Sequence, residues 1–139
     1  MTNLLPAPWT QFSERLMAVR TDVFVVEQQI PMELEHDEWD EKSFHVLLDC
    51  SGRDIATGRL LPTGYIGRVC VLKEFRGQGM GKIVMEGLIE EAKVRGMDKV
   101  TLSSQMTAAP FYESLGFIKI SDVYQEVDIP HVKMEKVLA

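Results

Sequence analysis

The stretch "VCVLKEFRGQGMGKIVMEGL" constrains the fold more than any other part of the chain. Val69 to Leu72 is an apolar run, Lys73 to Arg76 is mixed, and glycines then stand at alternate positions, Gly77, Gly79 and Gly81. From Gly79 to Arg95 the apolar residues Ile83, Val84, Leu88, Ile89 and Ala92 fall on one helical stripe, and Gly96 is a C-terminal stop. A strand that turns through glycines into a helix leaves several N–H groups unpaired at the mildly positive helix start. With Arg76 and Lys82 adding charge, this is a physically sensible phosphate cradle. Spacing excludes two common cradles. A Walker A loop needs G-x-x-x-x-G-K-[ST], but Gly77 and Gly81 are one residue too close and Ile83 replaces the hydroxyl. A dinucleotide fingerprint needs G-x-G-x-x-G and an acidic residue after the next strand, where "TLSS" stands instead. The glycines alone are equally consistent with an ordinary tight turn.

The flanking segments complete an element order. "TQFSERLMAVRTDVFVVEQ" has Phe12, Leu16, Val19, Val23 and Val26 at helical spacing. Thr10 or Ser13 is its expected cap, and its β-branched end should stop it near Phe24. Pro31 and the acidic run after it read as a loop or a short second helix. "FHVLLDCSGRDIATGRLLPTGYIGRVCVL" reads as three strands, with turns at Ser51-Gly52 and Pro62 to Gly64. "KVTLSS" is the next strand. "AAPFYESLGF" is a short helix with Pro110 in its first turn and Gly116 at its end. "FIKISDVYQEV" and "HVKMEKVL" are two closing strands. The order α, β, β, β, α, β, α, β, β combines antiparallel hairpins with one strand–helix–strand unit, Arg68 to Ser104. That unit requires a parallel pair through a right-handed crossover. The class is therefore α+β, a mixed sheet flanked by helices, in one domain over residues 1–139.

The 139 residues suffice for one hydrophobic core. Net charge is 15 − 21 = −6, which argues against a general nucleic-acid binder but leaves room for a local site for one small polyanion. No stretch is long and apolar enough to span a membrane, and "MTNLLPAPWTQ" lacks the marks of an export signal. Cys50 and Cys70 sit in apolar runs without metal-type spacing, so reduced, buried thiols in a cytoplasmic protein with no metal are expected. The acidic residues crowd into "MELEHDEWDE".

Taken together, "R-G-Q-G-M-G-K" after a buried strand and the later "AAPFYESLGF" resemble the GNAT superfamily of acetyl-CoA-dependent N-acetyltransferases. Arg76 to Gly81 matches the family's R/Q-x-x-G-x-G/A pattern, and the later segment matches A-x-x-F-Y-x-x-L-G-F. The resemblance covers Phe44 to Leu138. "AVRTDVFVVEQQIP" and "DIPHVKMEK" are similar to the small bacterial ElaA/YjcF-like branch.

The resemblance implies a GNAT-like fold and acetyl transfer to a primary amine of a small molecule or protein, by direct attack in a ternary complex. It implies coenzyme A held by Val69, Cys70, Val71, Arg76, Gly77, Gln78, Gly79, Met80, Gly81, Lys82, Phe111 and Tyr112. The thioester would run between the strands Arg68–Leu72 and Lys99–Ser104, which splay apart in that fold. Tyr112 would protonate the departing thiolate. Glu27 or His131, both in the branch-level matches, would take the amine's proton, with Glu33, Glu35, His36 and Asp37 nearby. His45 reads more simply as a hydrogen-bonded sheet residue. The acidic run is either a rim that favours a cationic acceptor or a solvated loop anchored by Trp39. No nucleic-acid or membrane partner is expected; a homodimer through the last strands is possible. A non-catalytic acyl-CoA-binding regulatory module is the alternative, against which Tyr112 argues. "R-T-D-V-F-V-V-E" is also similar to the R-x-x-V-F segment of acyl-homoserine-lactone synthases, whose chains are longer.

Overall fold

A computed structural model describes residues 1–138. Its elements are β1 (Thr2–Pro6), α1 (Trp9–Arg20), a π-helical continuation (Thr21–Glu27), α2 (Met32–Glu35), β2 (Phe44–Cys50), β3 (Arg53–Leu60), β4 (Tyr65–Val71), α3 (Met80–Val94), β5 (Lys99–Gln105), α4 (Ala109–Ser114), β6 (Ile118–Lys119), β7 (Tyr124–Glu126) and β8 (Ile129–Val137). The strands form one mixed sheet in the order β1-β2-β3-β4-β5-β8-β6, with β7 pairing β8 separately. Every neighbouring pair is antiparallel except β4 and β5. The mixed-sheet expectation is met, and the three strands between Phe44 and Val71 stand where the turns placed them.

Helix α3 buries Val84, Met85, Leu88, Ile89 and Ala92 against one face of the sheet. The approach is close. A Cβ on Gly58 would stand 2.9 Å from Val84 and Leu88, and one on Gly87 would stand 2.4 Å from Leu4 of β1. Helix α1 covers the other face with Leu16, Val19 and Arg20. That face is polar where the α3 face is apolar: His45, Thr57 and Arg59 are all buried there.

Three elements differ from the sequence reading. Strand β1 was not foreseen; it pairs β2 from Thr2↔Cys50 to Pro6↔Val46. Helix α1 starts at Trp9 behind Pro8 with no side-chain cap, so neither Thr10 nor Ser13 caps it, and it runs past Phe24 as a π-helix. Burial of Val23 overrides the weak helix preference of the β-branched run there. "FIKISDVYQEV" is two pieces, β6 and β7, and only β8 pairs β5 along its whole length. Cys70 is buried, whereas Cys50, opposite Thr2 near the sheet's edge, is only half-buried.

The feature that positions the site is the parting of β4 from β5. They pair only at Tyr65↔Thr101 and Ile66↔Leu102. Immediately afterwards β4 carries a bulge: its register with β3 shifts between Thr57 and Arg59, and Arg68 takes a left-handed conformation (φ 54°). A bulge bends its strand and raises the local twist, which turns β4 away from β5. The Arg68 guanidinium secures the bulge from the α1 face, donating to the carbonyls of Glu35 (3.1 Å) and Leu34 (3.2 Å) and to Asp37 (3.3 Å).

Candidate active site

The glycine loop lies at the far end of the opening between β4 and β5. Gly77 and Gly79 have φ of 76° and 82°, and Gly79 directly precedes α3. From Gly77 to Lys82 none of the backbone N–H groups has a hydrogen-bond partner among the described residues. A Cβ at Gly77 or Gly79 would meet nothing within 4 Å, so the space above the loop is open. Gly81 differs: its Cβ would stand 3.3 Å from Phe111. The concave run of donors at a helix start suits a diphosphate. Along the opening, β4 beyond Ile66 has β3 on one side and no strand on the other. Val69 and Val71 face α3, while Cys70 faces the α1 side. These residues fit an extended thioester carrier ending in a pyrophosphate.

Tyr112 projects from α4 beside the opening, edge-on to Phe111 (5.0 Å) and Phe117 (6.0 Å). Its hydroxyl has no hydrogen-bond partner among the described residues. Burial, then the neighbouring Cys70 and Tyr65, push the phenol up to about 12. Burial also pushes the Cys70 thiol up to about 12. Both groups therefore keep their protons at neutral pH.

Arg76 is engaged within the fold. Its Nε donates to the Val71 carbonyl (2.9 Å), and its two terminal nitrogens fork onto the Glu27 carboxylate, each at 2.6 Å. The hydrogen bond from Arg76 holds the Glu27 carboxyl below its usual range. That makes Glu27 a weaker proton acceptor than a free carboxylate.

The acidic segment is solvated only in part: Glu33, Glu38 and Glu41 are exposed, whereas Glu35, Asp37 and Asp40 are tied into the fold. Glu35 and Asp40 are buried. Arg20 bonds both, reaching Asp40 at 2.7 Å, and Arg59 reaches Asp40 (2.8 Å) and Asp37 (2.7 Å). His45 lies against the Asp40 carbonyl (2.8 Å), and burial lowers its basicity, as suits a sheet residue. His36 stacks on Trp9 (5.3 Å) and approaches Asp40 at 3.7 Å. Glu33 is exposed on α2.

His131 is the third residue of β8 and is buried. Its Nδ1 lies 2.7 Å from the Ile129 carbonyl, and its Nε2 lies 3.3 Å from Glu126. Tyr124 stacks on its ring, and Ser103 touches both the Tyr124 hydroxyl and Glu126. Tyr65 faces the same group; burial raises its phenol, and Glu126 and Tyr124 add to this. Sequence reasoning named His131 here but missed Tyr65, Ser103, Tyr124 and Glu126. Their one signal was polar residues at alternate positions in strands, which also describes a solvated face.

Comparison with known proteins agrees with this geometry. The acetyltransferase (GNAT) domain family matches residues 12–138. The uncharacterized N-acetyltransferase YjcF of Bacillus subtilis is 36% identical over 122 residues, 85% of this chain and 87% of that protein. The crystal structure of Escherichia coli ElaA superposes with a TM-score of 0.88 at 30% identity, covering 98% of this chain and 99% of the other. That of a putative N-acetyltransferase from Lactobacillus plantarum gives 0.90 at 29%, covering 99% of each. The chain belongs to the GNAT acetyltransferase family and is an acyltransferase of the acyl-CoA-dependent kind. A CoA-dependent acyl-homoserine lactone synthase shares the fold alone, at TM-score 0.75 and 16% identity, covering 97% of this chain and 82% of that one. Among the described residues no helix is long and apolar enough to cross a membrane, and no group of three His, Cys, Asp or Glu is placed to hold a metal ion.

Proposed function

We propose that the protein, as one domain over its 139 residues, transfers an acetyl group from acetyl-CoA to a primary amine of a small molecule or protein, within a ternary complex. The observation that carries this reading is the parting of β4 and β5 after Ile66 and Leu102, with the unpaired donors of Gly77 to Lys82 at its end and Tyr112 beside it. Gly77, Gln78, Gly79, Met80, Gly81 and Lys82 would hold the pyrophosphate. The edge of Val69, Cys70 and Val71, which no strand covers and where the Val71 carbonyl already accepts from Arg76, would pair with the pantetheine arm as a strand would, and Phe111 backs the loop at Gly81. Acetyl-CoA supplies an activated acetyl carbonyl and a thiolate leaving group.

An amine reaches the site as an ammonium and must lose a proton before it attacks. With Nδ1–H given to the Ile129 carbonyl, His131 has Nε2 as its remaining proton acceptor. We take it as the base and give Glu27 the task of holding Arg76. Tyr112 donates its proton to the sulfur as the carbon–sulfur bond breaks. It regains one from the nitrogen, which sheds its second proton as the amide forms, and His131 returns the first to water. Cys70 is buried and its thiol is pushed up by that burial, so it is poorly placed for an acyl-cysteine route, which favours direct attack. The unpaired thiols suit the cytoplasm as the setting.

The test compares melting temperatures with acetyl-CoA, free CoA, ATP and NAD, then follows thiol release with a panel of amines. Acetyl-CoA and CoA should raise the melting temperature where ATP and NAD do not. Tyr112→Phe should keep that shift and lose roughly 100-fold in kcat. A shift with ATP or NAD, or with nothing, overturns the cofactor; a shift without thiol release for any amine leaves the non-catalytic module.

A further inference from the structure

Five carboxylates on the α1 side of the sheet fall into two groups. Glu27, Glu35, Asp37 and Asp40 are each bound by an arginine. Glu126 is not: no lysine or arginine lies within ion-pair distance of it among the described residues. Lys133 stands on the same face, opposite Ser103, but makes no pair with it. The Glu126 Oε2 accepts from Ser103 (3.1 Å) and meets His131 Nε2 (3.3 Å), while its other oxygen has no partner. Its side chain is 49% exposed, against 9% for His131.

Strand pairing fixes where this carboxylate points. Glu126 and Tyr124 alternate on β7, opposite Ile129 and His131 of β8, and His131 in turn lies opposite Gln105 of β5. Ser103 is the residue after Leu102, the last of β5 to pair with β4. Glu126 therefore sits at the mouth of the opening on the α1 face. The chain accepts backbone strain to put it there. Val127 and Asp128 close the hairpin with φ of 50° and 60°, a conformation unfavourable for a β-branched residue.

We propose that Glu126 binds the acceptor's ammonium group and then steadies the proton passed to His131, so that the acceptor is an alkylammonium cation. This rests on the acetyltransferase reading above and names the kind of amine it acts on. One N–H bond of the ammonium breaks and an Nε2–H bond forms. The positive charge moves from amine to imidazole while staying beside Glu126, and the nitrogen lone pair is freed for attack. With Nδ1 facing a carbonyl and Nε2 a carboxylate, a protonated His131 has an acceptor at each ring nitrogen.

The test sets a short alkylamine, charged in neutral solution, against an arylamine that is uncharged there, with acetyl-CoA and thiol detection. Glu126→Gln should lower kcat/KM for the alkylamine by about 10-fold or more, through KM and kcat together, and leave the arylamine within about twofold. Equal loss for both amines marks a structural role and overturns the proposal, as does no loss for either. A second measurement needs no variant: an alkyltrimethylammonium salt should inhibit the wild-type protein competitively against the alkylamine, and the matching neutral alcohol should not. Equal inhibition by both, or by neither, also overturns it. Absence of thiol release by the wild-type protein with these two amines and with every other amine of the panel sinks the acetyltransferase reading itself, a result distinct from turnover that Glu126→Gln leaves unchanged.

Discussion

Gly79 and Gly81 stand two positions apart and are glycine for different reasons. At Gly79 the backbone demands it: φ is 82° and the space beyond is open. At Gly81 the neighbour crowds the position: the Phe111 ring lies 3.3 Å from where a Cβ would be and would have to shift by a few tenths of an ångström to admit one. Gly79→Ala should therefore cost about 1–2 kcal/mol of stability from the left-handed conformation and weaken acetyl-CoA binding. Gly79→Asn, which tolerates that conformation, should recover most of both, as thermal melts and a binding titration would read. The alternate glycines were legible as a helix-start loop because an apolar run precedes them and a helical stripe follows, not from their spacing alone. The occupation of Arg76 was not legible. Its partner Glu27 is 49 residues away in sequence and meets it only because α1 continues as a π-helix.

At the scale of the element, the segment from Pro31 to Lys42 is held by buried charge rather than by apolar contact. Asp40, fully buried, accepts from Arg20, Arg59 and the Asp37 N–H. Removing one partner of such a group leaves arginines buried without a counter-ion, so Asp40→Ala should destabilise by about 3–5 kcal/mol in denaturant titrations. Arg59 already carries a buried Nε without a partner. The acidic run could be seen in the sequence, but its counter-ions could not, because Arg20, Arg59 and Arg68 come from three separate elements. The same limit hid β1, a five-residue edge strand ending in Pro6 with few apolar positions to show a pattern. Interior hairpins with marked turns, such as β2–β3 at Ser51-Gly52, were readable throughout.

For the molecule as a whole, this network sets the response to acid. The hydrogen bond from Arg59 pulls the Asp37 carboxyl down to about 2, below its value in an unfolded chain, about 3.9. The unfolded state thus takes up that proton first. The stabilisation is complete above the unfolded value and is lost as pH falls towards about 2. Glu35 opposes this, since burial raises its carboxyl. Melting temperatures measured from neutral pH downwards should fall through this window, and Asp37→Asn should flatten the fall. The crossover unit and the sheet's mixed sense were legible because a strand–helix–strand run admits only one hand. That the two parallel strands part from Arg68 onwards came from the family resemblance alone, because the bulge at Arg68 looks in sequence like any other strand residue.

That bulge has a consequence for how the chain avoids its own kind. Halfway along, β4 stops being an interior strand and becomes a border, the sort of bare backbone to which other chains adhere. Proteins commonly blunt such borders with lysine, proline or a covering loop, yet this one is left apolar, with Val69, Cys70 and Val71 along it. Its protection is the company it keeps. β5 begins beside it and is sealed on its far side by β8, so the bare stretch faces a wedge-shaped cleft inside the sheet rather than the outer rim. A single slender chain of atoms reaches such a stretch more readily than the flat edge of a neighbouring sheet.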